Sequence, residues 1–278
     1  MVELLGGTDV RELAARLDVV PTKKLGQNFV TDPNTIRRIV GAAKLDGSEN
    51  VVEIGPGLGS LTLGLLEAAK SVTSVEIDRG MAAALEETIA KRAPGTNFTL
   101  VTHDAMTLDA LAIAPDALVA NLPYNISVPV LLNFMERFPT IAKGLVLVQA
   151  EVAHRLAAAP GSKVYGAPSA KLAWYAAANL AGNVGRTIFW PVPNVDSALV
   201  YFERHKMPLG DETLRKQTFA VIDAAFAQRR KTLRQALSTW AGSATEAEER
   251  LVRAGISPQS RGEQLTIGEF VAIASSDD

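Results

Sequence analysis

Four consecutive residues, Asn121, Leu122, Pro123 and Tyr124, have side chains and spacing that could assist a reaction at an aromatic amine. The nitrogen of such an amine is a poor nucleophile, because its lone pair is delocalised into the ring. Two acceptors on its hydrogens, the Asn121 side-chain oxygen and the Leu122 carbonyl, would favour the pyramidal form that can attack a methyl sulfonium. Catalysis of this kind rests on orientation and electrostatic stabilisation, not on a general base.

The other two residues of this tetrad would hold the amine in place. Tyr124 could stack on the base that carries it, and Pro123 fixes φ and so directs the preceding carbonyl. The positive charge of a sulfonium disappears on methyl transfer, so no metal ion is required. A plain Asn-Leu-Pro turn with a packed tyrosine is the alternative, and the position of the tetrad in the fold decides between the two.

A glycine-rich turn earlier in the chain predicts a site for a nucleoside cofactor. Residues 51–54 indicate a buried strand and residues 60–69 a helix that Ser60 could cap, with Gly55, Gly57 and Gly59 between them. Glycine lets the chain turn tightly and a ligand approach the backbone closely. The G-x-G-x-G spacing differs from the G-x-G-x-x-G of dinucleotide sites, and it suits a ligand without phosphate such as S-adenosylmethionine.

Acidic residues follow the next two predicted strands. Glu76 ends the strand predicted over 71–77, where its carboxylate could accept both hydroxyl hydrogens of a ribose. Asp104 follows the strand predicted over 97–102 and could accept from an adenine amine, whereas His103 is interpreted as a polar loop residue. An ordinary strand–helix turn with solvated strand ends is the alternative.

The remaining pattern predicts two domains. Further strands are predicted over 116–121, 144–149 and 197–202, with helices over 8–17, from 32, and over 81–91, 151–159 and 169–179. Strands that alternate with helices are typical of a parallel, doubly wound α/β domain, here residues 1–207 with an N-terminal extension over 1–30. From residue 208 to 278 only helices are predicted, over 211–227, 230–240, 245–254 and 267–274.

Composition excludes several classes of protein. The chain has 278 residues, a net charge of −2 and no cysteine, which excludes disulfides and thiolate catalysis. Its three histidines are far apart, so no metal site is expected. No run of about eighteen apolar residues and no signal-peptide layout is present, and we expect a cytoplasmic monomer.

The chain resembles the small-subunit ribosomal RNA adenine dimethyltransferases over nearly its whole length. The motifs that carry the resemblance lie at 24–29, 52–59, 75–78, 104–106, 121–127, 191–197 and 226–234. The resemblance implies a seven-stranded Rossmann-like class I methyltransferase domain with a helical C-terminal domain. It also implies transfer of two methyl groups from S-adenosylmethionine to each of two adjacent adenosines near the 3′ end of 16S rRNA.

The resemblance also implies which residues act. The tetrad would be catalytic, and Phe189 would sandwich the target adenine against Tyr124. The expected cofactor-binding residues are Gln27, Asn28, Val30, Gly55, Gly57, Gly59, Glu76, Ile77, Asp104, Ala105 and Asn121. Ala150 and Asn194 stand where the family often has lysine, so two basic contacts to RNA are expected to be missing.

Basic residues near the C-terminus predict an RNA-contacting surface. Arg229, Arg230, Lys231 and Arg234 form the densest cationic cluster, and a helix over 230–240 would place Arg230 and Arg234 on one face. A solvated helix face is the alternative. Lys23, Lys24 and Arg155 are expected to extend this surface, and the target base must be extruded to reach the site.

Three other functions compete with this interpretation. A nicotinamide oxidoreductase is disfavoured by the glycine spacing and by the tetrad. An RNA-binding assembly factor that retains a pocket is disfavoured by the intact Asn121 and Tyr124. An adenine methyltransferase of large-subunit rRNA, the erythromycin-resistance type, is disfavoured by the long C-terminal domain.

Overall fold

The structure, a computed structural model, describes residues 2–17 and 28–276. Its internal contacts divide the chain into two compact units, residues 1–153 with 180–203 and residues 154–179 with 204–278. The sequence-based division after residue 207 leaves residues 154–179 in the first domain, whereas here they group with the helical unit, because helix Ala167–Tyr175 packs against helix Glu212–Ala227. The predicted domain boundary itself stays a prediction.

Nine strands lie within residues 2–17 and 28–276. They are β1 (Phe29–Val30), β2 (Asn50–Ile54), β3 (Ser71–Glu76), β4 (Phe98–Thr102), β5 (Ala117–Asn121), β6 (Lys143–Gln149), β7 (Ala176–Val184), β8 (Phe189–Trp190) and β9 (Ser197–Arg204). The helices before β9 are α1 (Gly7–Arg16), α2 (Pro33–Ala42), α3 (Ser60–Ala68), α4 (Arg79–Arg92), α5 (Ser127–Arg137), α6 (Ala150–Leu156) and α7 (Ala167–Tyr175). The helices after β9 are α8 (Glu212–Ala227), α9 (Leu233–Ala236), α10 (Ser238–Ala241), α11 (Ala244–Arg253) and α12 (Ile267–Ala274).

Seven strands form one mixed sheet in the order β4-β3-β2-β5-β6-β9-β7. The first five are mutually parallel, and β9 joins β6 antiparallel. All six residues of β3 are buried and so are the last four of β2, as expected for central strands covered on both faces. The Rossmann-like fold class is therefore confirmed, and the antiparallel β9 departs from an all-parallel sheet.

The order of the strands places a ligand crevice at the carboxyl ends of β2 and β5. From β2 the chain proceeds outward through β3 and β4, and it then returns to the other side of β2 as β5. In open α/β sheets, ligands bind at this point of reversal. The glycine turn follows β2, and the tetrad begins at the last residue of β5, so both predicted motifs meet there.

The glycine turn is also the start of a buried helix. Helix α3 is capped by Gly59, which has a φ of 92°, and the prediction that Ser60 is the cap is wrong. Seven successive residues of α3 are buried, and a Cβ on Gly64 would lie 2.5 Å from Ile36 of α2. The absence of a side chain at Gly64 therefore permits the close contact between α2 and α3.

Two predicted helices differ in the structure. Residues 176–179, predicted as helix, begin the edge strand β7, whose alanines and asparagines give little β-propensity signal. The helix predicted over 230–240 is replaced by the short helices α9 and α10. It cannot begin at Arg230, because the amides of Leu233 and Arg234 donate to the carbonyls of Ser260 and Pro258. The prediction that Arg230 and Arg234 share a helix face is therefore wrong.

Each unit has its own hydrophobic core. In the first, side chains from the central strands pack against those of α2, α3 and α4. In the second, α8 and α12 make the largest helix contact, around Val221, Ile222 and Phe270. Among the described residues, no helix is both long enough and apolar enough to cross a lipid bilayer.

Candidate active site

A cavity of about 440 Å³ opens at the carboxyl ends of β2, β3, β4 and β5. This volume lies within the range of about 300–1,000 Å³ that small-molecule sites occupy. Its wall includes nearly all of the predicted catalytic and cofactor-binding residues that the structure describes: Asn28, Val30, Gly55, Gly57, Glu76, Ile77, Asp104, Ala105, Asn121, Leu122, Pro123 and Tyr124. Gln27, Lys23 and Lys24 lie outside the described residues.

All three glycines of the turn need the conformation that only glycine adopts readily, and two of them line the cavity. Gly55 and Gly57 have φ values of 66° and 55°. A Cβ on Gly57 would lie 2.7 Å from the Phe29 ring, which lines the same cavity. Gly59 is absent from the cavity wall, because the space beside it is filled by Leu85 and Thr88.

The Glu76 carboxylate lies deep in the cavity wall and is 6% exposed. Its Oε2 accepts a hydrogen bond from the Gly57 amide at 3.3 Å, and Oε1 accepts from the Asp78 amide at 3.0 Å. Burial raises the pKa of this carboxyl above its usual value, and the two amide donors act in the opposite direction. Ile77 beside it is 65% exposed and gives this part of the cavity an apolar surface.

The side chain of Asn121 has a fixed orientation. Its Nδ2 donates to the backbone carbonyl of Asn28 at 2.9 Å. Since the amide nitrogen is used in this way, the acceptor that Asn121 offers to a ligand is Oδ1. Asn28 precedes β1, so the bond joins the N-terminal strand to the end of β5.

Tyr124 lies in the turn after β5 and is partly buried. Its hydroxyl is 2.8 Å from the hydroxyl of Ser197, the first residue of β9. Burial raises the pKa of the Tyr124 phenol, and the bond to Ser197 opposes this.

Phe189, the expected second half of the aromatic sandwich, does not line the cavity. It is 2% exposed in the hydrophobic core, and in β8 it pairs with Val30 of β1. Its neighbour Trp190 stacks on Phe29 with ring centroids 6.4 Å apart. The aromatic side chains in the described cavity wall are Phe29 and Tyr124, and Phe29, although it ends the motif at 24–29, was not predicted as a site residue.

The cavity wall also contains polar residues that were not predicted as site residues, among them Glu53 and Ser60. Glu53 is 1% exposed, and its Oε2 accepts from the hydroxyls of Thr62 and Ser74 at 2.7 and 2.8 Å. Burial raises the pKa of Glu53 to about 7. The Ser60 hydroxyl is buried without a hydrogen-bond partner in the described part of the chain. The signal for Glu53 was an acid within an otherwise apolar strand.

The predicted RNA-contacting residues of the helical unit have two kinds of environment. Arg229 donates to Glu263 Oε2 at 3.0 Å and to the Lys163 carbonyl, and Arg234 donates to Glu248 Oε2 at 2.6 Å. Arg230 and Lys231 are exposed, and their side chains have no ion pair within residues 2–17 and 28–276. Arg155 is exposed in the last turn of α6.

Comparison with known families identifies the chain. The sequence pattern of the family described as "Ribosomal RNA adenine dimethylase" matches residues 21–276. The chain belongs to the ribosomal RNA adenine dimethylase family. It is 61% identical over 274 residues to a protein of Streptomyces griseus named "Ribosomal RNA small subunit methyltransferase A", a match that covers 98% of this chain and 94% of that protein.

Solved structures agree with the fold of this family. A dimethyladenosine transferase from Plasmodium falciparum superposes with a TM-score of 0.74 at 23% identity, covering 88% of this chain and 95% of that chain. The 23S rRNA methyltransferase ErmE superposes with a TM-score of 0.66 at 26% identity, covering 90% of this chain and all of that one. Both support the Rossmann-like architecture of the adenine dimethylase chain described here.

Proposed function

We propose that this chain transfers methyl groups from S-adenosylmethionine to the exocyclic 6-amino groups of two adjacent adenosines near the 3′ end of 16S rRNA. The observation that carries the proposal is the single cavity that the glycine turn, Glu76 and the tetrad line together. A cofactor site and a site for an aromatic amine thus share one wall at the point where the strand order reverses. The relative from Streptomyces griseus supports the small ribosomal subunit as the source of the RNA.

The residues of the cavity fit S-adenosylmethionine. The glycine turn brings backbone close to the cavity without side chains, and Glu76 retains lone pairs for ribose hydroxyls after it accepts two amide bonds. The exposed face of Ile77 suits an adenine ring, and Asp104 and Ala105 suit its amine edge. When bound, the cofactor supplies an electrophilic methyl group on a positively charged sulfur.

The residues that act on the target amine belong to the tetrad. Asn121 Oδ1 and the Leu122 carbonyl accept its two hydrogens, which favours the pyramidal nitrogen that can attack. Because Asn28 holds the Asn121 amide in one orientation, this acceptor is in place before RNA binds. The proton that leaves the methylated nitrogen passes to water.

Tyr124 holds the target base by stacking on it. The base must leave the RNA stack to enter the cavity, so an aromatic face offsets part of the lost stacking energy. Phe189 lies in the core and Phe29 in the wall, so the second aromatic contact comes from Phe29 or from a movement of the segment that carries Phe189.

The partner is folded rRNA of the small subunit or its precursor, and the exposed Arg230 and Lys231 contribute phosphate contacts. Arg155 is a further candidate contact on the helical unit. We expect the enzyme to work as a monomer in the cytoplasm, where its substrate is assembled.

A methyl-transfer assay tests the proposal. Labelled S-adenosylmethionine is mixed with under-methylated small subunits, large subunits or DNA, using wild type and Asn121→Ala. The proposal predicts label in small-subunit RNA alone, released as dimethyladenosine on digestion, and its loss in Asn121→Ala. Cofactor binding without label in any RNA would instead indicate a binding protein.

A second candidate function is methylation of large-subunit rRNA. The superposition with ErmE, which covers 90% of this chain, favours it. The 61% identity to the small-subunit relative, against 26% to ErmE, favours the first proposal. Label in large-subunit RNA alone would decide for the second.

A further inference from the structure

Ser197 is a buried serine whose position is fixed by the sheet. It is 0% exposed and begins β9, where it lies opposite Gln149 in the antiparallel ladder with β6. The carbonyl of the preceding Asp196 accepts from the Ala150 amide at 2.9 Å. The Ser197 hydroxyl therefore extends from a rigid part of the fold.

The partner of that hydroxyl lies in a less regular segment. Tyr124 belongs to the turn that connects β5 to α5, where the Ile126 amide donates to the Pro123 carbonyl. A partly buried tyrosine in such a turn has freedom about two side-chain torsions. Its hydroxyl is 2.8 Å from Ser197 Oγ, and this contact anchors the end of the ring far from the backbone.

We propose that Ser197 is a positioning residue that holds the Tyr124 ring in the orientation in which it stacks on the target adenine. The proposal rests on the function proposed above and adds to it a residue that does not line the cavity. With both ends of the ring fixed, the stacking surface is formed before RNA arrives, and binding need not order it. Without the hydroxyl of Ser197, the ring loses this anchor at its far end.

Kinetics of a double-mutant cycle test this pair. Ser197→Ala and Tyr124→Phe each remove one side of the bond and keep the ring. We expect each to lower kcat for dimethyladenosine formation by roughly 3- to 10-fold, the equivalent of one hydrogen bond, with cofactor affinity unchanged. Because both changes remove the same bond, the double variant should be no slower than the slower single variant.

Ser71→Ala is the matched control. The Ser71 hydroxyl also donates a 2.8 Å bond, to Asn50, but it lies at the opposite end of the sheet at the start of β3. It should lose stability without loss of kcat. Losses that multiply in the double variant, or an equal loss of kcat in Ser71→Ala, would overturn the proposal, because either result would assign Ser197 a general structural role.

A second measurement does not depend on activity. The chain has four tyrosines, so tyrosine labelled with carbon-13 at the ζ position gives a spectrum in which Tyr124→Phe identifies the Tyr124 signal. We expect Ser197→Ala to shift that signal and Ser71→Ala to leave it in place. A signal that stays unchanged in Ser197→Ala overturns the proposal. If Ser197→Ala shows the expected shift but the wild type transfers methyl groups to no RNA, only the proposed function is overturned.

Discussion

Asn121 Nδ2 donates a 2.9 Å hydrogen bond to the backbone carbonyl of Asn28, and this bond determines which end of the amide faces the cavity. The two residues are far apart in the sequence and meet because β1 begins, and β5 ends, at the same crevice. An amide has one donor group and one acceptor. With the donor occupied, Oδ1 is the atom that can accept from an adenine amine.

Asn121→Asp tests this orientation more sharply than removal of the side chain. The aspartate keeps an acceptor oxygen but cannot donate to Asn28, so an oxygen faces the carbonyl and the carboxylate turns away. We expect kcat to fall by about 100-fold or more, in the range of a lost positioned group in an active site. Single-turnover methyl transfer at saturating cofactor measures the loss in the rate of the chemical step.

Asn97→Asp is the control for that substitution. Asn97 Nδ2 also donates to a backbone carbonyl, that of Lys70, at 3.0 Å, but at a surface position away from the cavity. It should keep the activity of the wild type. An Asn121→Asp variant that also retains activity would refute the fixed orientation.

Gly57→Ala should disturb both folding and cofactor binding. The residue has a φ of 55°, and a Cβ would lie 2.7 Å from Phe29 in the cavity wall. Gly95→Ala is the matched control, since Gly95 has a φ of 78° with open space around it. We expect about 1 kcal/mol of lost stability for Gly95→Ala, and a larger loss together with weaker cofactor binding for Gly57→Ala. Denaturant unfolding and calorimetric titration measure the two effects, and equal results for both variants would contradict the account.

The buried carboxyl of Glu53 should make stability depend on pH. Because burial raises its pKa to about 7 from 4.5, the folded state holds a proton that the unfolded chain releases above pH 4.5. Its contribution to the free energy of unfolding is therefore full below 4.5 and is lost as pH rises toward 7. Glu53→Gln keeps an acceptor for Thr62 and Ser74 without the charge.

The variant should accordingly gain stability relative to wild type as the pH rises, by up to about 3 kcal/mol. Urea unfolding of both proteins on either side of the pH window from 4.5 to about 7 measures this difference. The contributions of the other titrating groups cancel in the comparison. Glu87→Gln, at an exposed ion pair with Arg16, is the control and should show no such trend. A constant difference between Glu53→Gln and wild type across the window would show that Glu53 is ionised throughout.

The four basic residues near the C-terminus should divide into two pairs. Arg230→Ala and Lys231→Ala remove exposed cations, so RNA affinity should fall. A plot of the logarithm of affinity against the logarithm of salt concentration should also become less steep, by about one for each phosphate contact that is lost. Arg229→Ala and Arg234→Ala break bonds to Glu263 and Glu248. They should lower thermal stability, and they should change that slope less than Arg230→Ala and Lys231→Ala do. Filter binding over a salt series and thermal unfolding compare the pairs, and a common slope for all four variants would argue against this division.

Local sequence patterns predicted the part of the site that local chemistry dictates. The glycine turn, the acid at Glu76 and the tetrad each lie at the end of a strand, and parallel strands bring such ends together. Long-range pairing decided what the patterns missed. The family resemblance implied that Phe189 faces the target adenine, but its pairing with Val30 places it in the core, and Ser197 meets Tyr124 only because β9 lies antiparallel to β6.

Secondary structure failed where tertiary contacts overrode local preference. Residues 176–179 continue a helical pattern, yet they begin the edge strand β7 beside β9. Arg230 and Arg234 have helical spacing, but the amides of Leu233 and Arg234 donate to carbonyls of the loop at 258–260, so no helix extends from Arg230 through Arg234. Neither contact leaves a signal in the segment itself.

The most direct test of the central claim locates the methyl groups. Under-methylated small subunits are treated with wild type or Asn121→Ala, and the 16S rRNA is digested and sequenced by mass spectrometry. The account predicts N6,N6-dimethyladenosine at two adjacent positions near the 3′ end with wild type, and unmodified adenosine at both with Asn121→Ala. Dimethyladenosine at other positions only, or full modification by Asn121→Ala, would contradict it.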